Sequence, residues 1–93
     1  METQDKTIWG ESSKVEMTWD EAKKWCKAQG GRLPKLWELL KAFEDKEEGF
    51  AYFHYWSSTE YSATIAYLVY FYNGNTYNNY NTYSSYVRCI FDK

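Results

Sequence analysis

Ile65-Ala66-Tyr67-Leu68-Val69-Tyr70-Phe71-Tyr72-Asn73-Gly74 is the stretch on which the fold turns. β-Branched and aromatic residues dominate it, and period 2 puts Ile65, Tyr67, Val69 and Phe71 on one face of a strand. Ala66, Leu68 and Tyr70, continued by Tyr72, take the other. Asn73-Gly74 then reads as a hairpin turn, because both central residues of a type I′ turn need positive φ. The expectation is an antiparallel strand pair whose Tyr67/Val69/Phe71 face is core and whose Leu68/Tyr70/Tyr72 face meets solvent.

Working outward, Thr76 to Tyr86 contains only Tyr, Asn, Ser and Thr. Such a segment can be prion-like low complexity, or an ordered polar surface pinned at both ends by a turn and a core-patterned strand. The second reading is preferred here, because Tyr86 to Phe91 follows as a last strand with Val87, Cys89 and Phe91 on one face. Before Ile65, strand-type composition reaches back to Phe50.

The pattern is helical between Thr18 and Gly49. Thr18-Trp19-Asp20-Glu21 is a capping box, in which the Thr18 hydroxyl and the Glu21 carboxylate satisfy each other's backbone amides. Trp19, Ala22 and Cys26 follow at helical spacing, and Gly30-Gly31 supplies the stop. A second helix follows Arg32-Leu33-Pro34, with Pro34 tolerated in its first turn and Leu36, Leu39, Leu40 and Phe43 on one stripe. Asp45-Lys46-Glu47-Glu48-Gly49 lacks the spacing of an ion-binding loop and reads as a solvated helix end. Toward the start, Lys6 to Trp9 and Lys14 to Met17 read as two edge strands around a turn at Gly10-Glu11-Ser12-Ser13.

The 93 residues allow one domain, spanning 1–93. Apolar residues are 44% and aromatics 22% of the chain, too much apolar mass for disorder, and so many tyrosines require that some lie at the surface. A formal net charge of -2 with interspersed signs lacks the basic footprint that a nucleic acid needs. No stretch approaches the roughly 20 apolar residues of a membrane span, and Met1-Glu-Thr-Gln-Asp-Lys6 lacks the pattern of a signal peptide. Location is thereby left open among virion, cell surface and cell interior. Cys26 and Cys89 fit neither a CxxC redox motif nor a zinc set, which leaves a disulfide or two buried thiols. Their positions, one on the inward stripe of a helix and one on the inward face of the last strand, are compatible with a bridge.

Catalysis finds no support in the residues. The single histidine, His54, sits among Phe50-Ala51-Tyr52-Phe53-His54-Tyr55-Trp56 and reads as structural, and no nucleophile and base or phosphate loop is written in the chain. Neither a cofactor nor a metal is expected. Binding is better supported, because Tyr gives large rigid contacts at low entropy while Ser, Asn and Thr add adaptable hydrogen bonds, the mixture found in antibody loops. The competing reading is an ordinary Tyr/Thr-rich sheet face.

Gly31-Arg32-Leu33-Pro34, Leu36-Trp37-Glu38-Leu39, Tyr55-Trp56-Ser57-Ser58-Thr59-Glu60 and Tyr86-Val87-Arg88-Cys89, in that order, resemble the C-type-lectin-like domains. That group includes formylglycine-generating-enzyme relatives, bacterial surface lectins and the variable proteins of diversity-generating retroelements. The resemblance runs from about Thr18 to Cys89 and implies an α+β C-type-lectin-like fold, with two helices on a small twisted antiparallel sheet and a long loop region. It also implies a helix-to-last-strand disulfide, Cys26 to Cys89.

Within the group the chain is most similar to the retroelement variable proteins, where Asn codons mutated at adenines yield Tyr, Ser, Thr, Ile, Ala or Leu. Residues 61–86 would then be the variable recognition region. Its ligand-binding positions would be Tyr61, Ala63, Thr64, Ile65, Leu68, Tyr70, Tyr72, Tyr77, Tyr80, Tyr83, Ser84 and Ser85. Ala66, Val69, Phe71, Gly74, Val87, Arg88 and Cys89 would be fixed framework. The enzyme branch requires a cysteine pair and a larger fold, so its oxidase activity is not implied. Calcium-dependent sugar lectins use proline-containing ligand motifs, and the only proline here is Pro34.

The function expected is therefore a non-catalytic receptor-binding or adhesion domain whose partner is a protein, with a glycan ranked second. A calcium-independent carbohydrate-binding module and a structural or assembly subunit are the alternatives. The oligomeric state is not legible.

Overall fold

The computed structural model describes residues 7–92. The element order is β1 (Thr7–Ser12), α1 (Trp19–Ala28), α2 (Leu36–Glu44), β2 (His54–Ser62), β3 (Ile65–Tyr70), β4 (Asn75–Tyr80) and β5 (Arg88–Asp92). The fold is α+β, with two helices and two small antiparallel sheets, one ordered β1-β5 and the other β2-β3-β4. The sheets meet at a parallel bridge between Tyr55 and Tyr86.

Local chemistry explains the helices. Glu21 Oε1 accepts from the Thr18 amide at 2.9 Å, and Thr18 Oγ1 accepts weakly from the Glu21 amide at 3.4 Å. Trp19, Ala22 and Cys26 are buried, and α1 stops before Gly30, whose φ is 87°. The second helix begins later than expected. Lys35 is its N-cap, its amide donates to Glu38 Oε1 at 2.7 Å, and Pro34 lies buried ahead of the helix rather than in its first turn. Asp45 to Gly49 are solvent-exposed.

Two apolar clusters form the core. Trp19, Ala22 and Cys26 of α1 pack with Trp56, Ala66, Leu68, Val87 and Cys89. Leu39 and Ala42 of α2 pack with Tyr55, Val69 and Phe71. Cys26 and Cys89 are joined by a disulfide with Cα atoms 5.4 Å apart. The buried indoles and Arg88 have hydrogen-bond partners, as burial demands. Trp19 Nε1 donates to Ser57 O at 2.8 Å, and Trp56 Nε1 donates to Met17 O at 2.9 Å. Arg88, also buried, donates to the carbonyls of Gly10 and Glu48, with its guanidinium 4.5 Å from the Phe50 ring centre. Burial lowers its pKa, yet the group stays charged, because a guanidinium starts far above neutrality.

Three further sequence expectations are corrected. In place of two N-terminal edge strands, one strand runs through Gly10, with a register shift between Trp9 and Ser12; Met17 makes only an isolated bridge to Ser85. The Lys6 end of that reading, like the rest of residues 1–6, lies outside the described residues. The hairpin sits where Asn73-Gly74 put it but is not type I′, since only Gly74 has positive φ. Tyr70 pairs with Asn75, so Phe71 to Gly74 form a four-residue loop in which Tyr70 O accepts from the Gly74 amide at 2.7 Å. Finally, the last strand starts at Arg88, and Tyr86 belongs to the bridge between the sheets.

Candidate functional site

Between Glu60 and Arg88 the chain carries no charged residue, so β3, β4 and their loops present only neutral side chains. Cross-strand pairing assigns them to faces. Leu68 pairs with Tyr77, Tyr70 with Asn75 and His54 with Tyr70, which sets these residues on one face of the three-stranded sheet; Ile65 pairs with Tyr80 and Tyr67 with Asn78 on the other.

Each face is buried at one end only. The cluster containing α1 covers Ala66 and Leu68, leaving His54, Tyr70 and Tyr77 of the same face open. On the reverse, the cluster containing α2 covers Val69 and Phe71, leaving Ile65, Tyr67 and Tyr80. The tyrosines therefore form two patches rather than one. In the first, Tyr70 stacks flat on His54, with ring centres 4.1 Å apart and planes 3° apart. Tyr77 meets His54 at 5.6 Å, and Tyr72 contacts both Tyr70 and Tyr52 at 5.8 Å. In the second, Tyr61 packs edge-on to Tyr67, and Tyr80 lies against Tyr83, each at 5.8 Å. Such contacts stiffen the side chains, each contributing about 0.5–1.5 kcal/mol beyond area burial.

Among the positions assigned to recognition, Tyr61, Ala63, Thr64, Tyr72, Tyr77, Tyr80, Tyr83 and Ser84 are exposed. Ile65 and Tyr70 are half-buried. Leu68 and Ser85 are corrections. Leu68 is only 3% exposed and belongs to the α1 cluster, because its face, expected to meet solvent, is covered at that end. Ser85 is 5% exposed, with its amide and carbonyl both bonded to Met17. Tyr52, His54 and Tyr67 also pack within these patches, and Phe53 stacks on Tyr86 beside them, though none was among the positions assigned to recognition. Within the aromatic run from Phe50 to Trp56 only His54 was assigned a role, a structural one, and strand parity put Tyr67 on the core face.

Burial lowers the His54 pKa below its usual value, outweighing the opposing charge of Glu16. Away from the tyrosines, a cleft of about 790 Å³ lies between β1 and α2. Its cations Arg32, Lys35, Lys41 and Arg88 are matched by Glu38, Asp45, Glu47 and Asp92, so no net charge remains to attract an ion. Arg32 is engaged twice over, forked to Glu38 at 2.9 Å and to Asp92 at 2.8 and 3.0 Å. Burial would raise the Glu38 pKa, but the Arg32 fork and the Lys35 amide together lower it. Among the described residues no group of three His, Cys, Asp or Glu is placed to hold a metal ion, and no helix is long and apolar enough to cross a membrane.

No protein-family model matches the chain, and no curated protein matches it.

Proposed function

We propose that the chain is a non-catalytic receptor-binding or adhesion domain of the C-type-lectin-like kind. Its neutral tyrosine surface, diversified by a retroelement, would bind a protein. The observation that carries this reading is the exposure of Tyr61, Tyr72, Tyr77, Tyr80 and Tyr83, between 43% and 64%, on a charge-free stretch held over two packed clusters and a disulfide. Large exposed apolar patches on a small domain mark interaction sites, and tyrosine in particular supplies interface anchors. Substitutions on such a surface change what is bound without touching the framework.

The test is a binding screen over a protein array beside a glycan array, followed by alanine substitution against the partner found. Tyr72, Tyr77, Tyr80 and Tyr83 should each change folding stability by less than about 0.5 kcal/mol, while one or two weaken binding by about 2 kcal/mol or more. Leu68→Ala should instead destabilise by about 2–5 kcal/mol through the cavity it leaves. A screen in which only glycans are retained, or a scan in which no tyrosine alters binding, refutes the proposal. The retroelement component is tested separately at the DNA level, by seeking a near-copy of the Tyr61 to Cys89 coding region that differs only at adenines.

A further inference from the structure

Strand edges expose a row of unpaired amides and carbonyls, and proteins blunt them with bulges, charges, proline or a covering segment. The edges of this molecule are treated unequally. The outer side of β2 is covered by Tyr86, whose amide donates to His54 O and whose carbonyl accepts from the Trp56 amide, both at 3.0 Å. Arg32 covers β5 through a reciprocal pair of 2.9 Å bonds with Ile90, while β1 is irregular and carries the charge of Glu11. By contrast β4, Asn75-Thr76-Tyr77-Asn78-Asn79-Tyr80, pairs in unbroken register with β3. It has no charge and no proline, and among the described residues no strand pairs with its other side.

Hydrogen-bond alternation identifies the outward groups. The Asn81 amide points inward to Thr64 O at 2.8 Å, so the backbones of Thr76, Asn78 and Tyr80 point away from β3. Consistent with this, the Tyr80 amide is held by the side chain Oδ1 of its neighbour Asn79 at 2.9 Å instead of by a strand. At the far end the Trp19 amide meets Asn81 O at 3.2 Å, which limits the open edge to β4 itself.

From this edge we propose that the occupant is a second copy of the chain, paired antiparallel through β4 about a two-fold axis at Asn78. Centring on Asn78 uses all three outward residues: Asn78 faces Asn78, and Thr76 faces Tyr80 in both directions. Asn opposite Asn can pair through its amides, and Tyr opposite Thr is a favourable cross-strand pair. Tyr77 of one copy then lies opposite Asn79 of the other on a shared face, so the His54/Tyr70/Tyr77 patches of both copies line one six-stranded sheet. Resting on the recognition reading above, the dimer would then present two copies of that patch side by side. A single strand pair buries less than a standard interface, so association in the micromolar range or weaker is expected.

Sedimentation equilibrium over roughly 10 µM to 1 mM should show the mass rising from 11.2 kDa toward twice that value. Asn78→Lys and Asn78→Asp each set like charges opposite one another across the axis and should each stay monomeric, while their equimolar mixture should regain the dimer. Restored association also shows that both variants are folded. A wild-type protein that remains monomeric at the top concentration, a single variant that dimerises as well as wild type, or a mixture that stays monomeric overturns the proposal. Receptor binding by the monomeric variants is a separate readout, so failure of this pairing and failure of the recognition reading are distinguishable.

Discussion

His54 lies flat on Tyr70, and its partial burial disfavours the charged form. Because burial lowers its folded pKa below 6.5, acid protonates the unfolded chain first. The stability it contributes is therefore complete above about pH 6.5 and is lost as pH falls through the folded pKa. An NMR titration of the imidazole should give a midpoint below 6.5, and His54→Phe should remove the corresponding fall in melting temperature between pH 7 and pH 5. A midpoint at or above 6.5 in the native protein contradicts this. The exposure of Tyr77, Tyr80 and Tyr83 was legible in the sequence because their neighbours are all polar. Leu68 was not, for a physical reason. Period 2 says which residues share a face, but not which half of that face a helix will cover.

At the scale of elements, what was legible was local. The capping box at Thr18 and Glu21 and the stop at Gly30 depend on a few successive residues, and the structure reproduces them. Gly10 was misread as a turn because its reason is distant: a Cβ there would stand 2.8 Å from Cε1 of Phe91, so the glycine lets an aromatic ring of β5 lie against β1 within a continuous strand. The β3–β4 loop combines both kinds of cause. Gly74 has φ 80°, and a Cβ on it would meet the Phe43 ring at 2.5 Å, displacing it from Phe71, on which it packs at 5.7 Å. Gly30 has a similar φ of 87° but open space around it. Alanine at Gly30 should thus cost only the left-handed backbone term, about 1–2 kcal/mol. At Gly74 the same change should cost measurably more, lowering the melting temperature further by about 4–8 °C for each added kcal/mol. Equal losses at the two sites would show that Phe43 does not pack against the loop as described.

Across the whole molecule, the α+β class with two helices was legible, since the change from period 3.6 to period 2 falls near Phe50. The division into two sheets was not, because the Tyr55–Tyr86 bridge that joins them has no local signature. What fastens these parts is the Cys26–Cys89 bond, which joins α1 to β5 across 63 residues of sequence. It encloses α2, the three-stranded sheet and both tyrosine patches. In the chain-entropy account, closing a loop of this length restricts the unfolded state by about 4 kcal/mol, a large share of the 5–15 kcal/mol typical of a domain. Reduction should therefore lower the melting temperature by roughly 15–30 °C. In oxidised protein unfolded without reductant, neither cysteine should react with an alkylating agent, and the intact mass should lie two hydrogens below that of the dithiol. Labelling of both thiols under those conditions would disprove the bond. If the bond is present but its reduction shifts the melting temperature by only a few degrees, the unfolded chain must already be compact between the two cysteines. The stability would then come from the two packed clusters rather than from the staple that joins them.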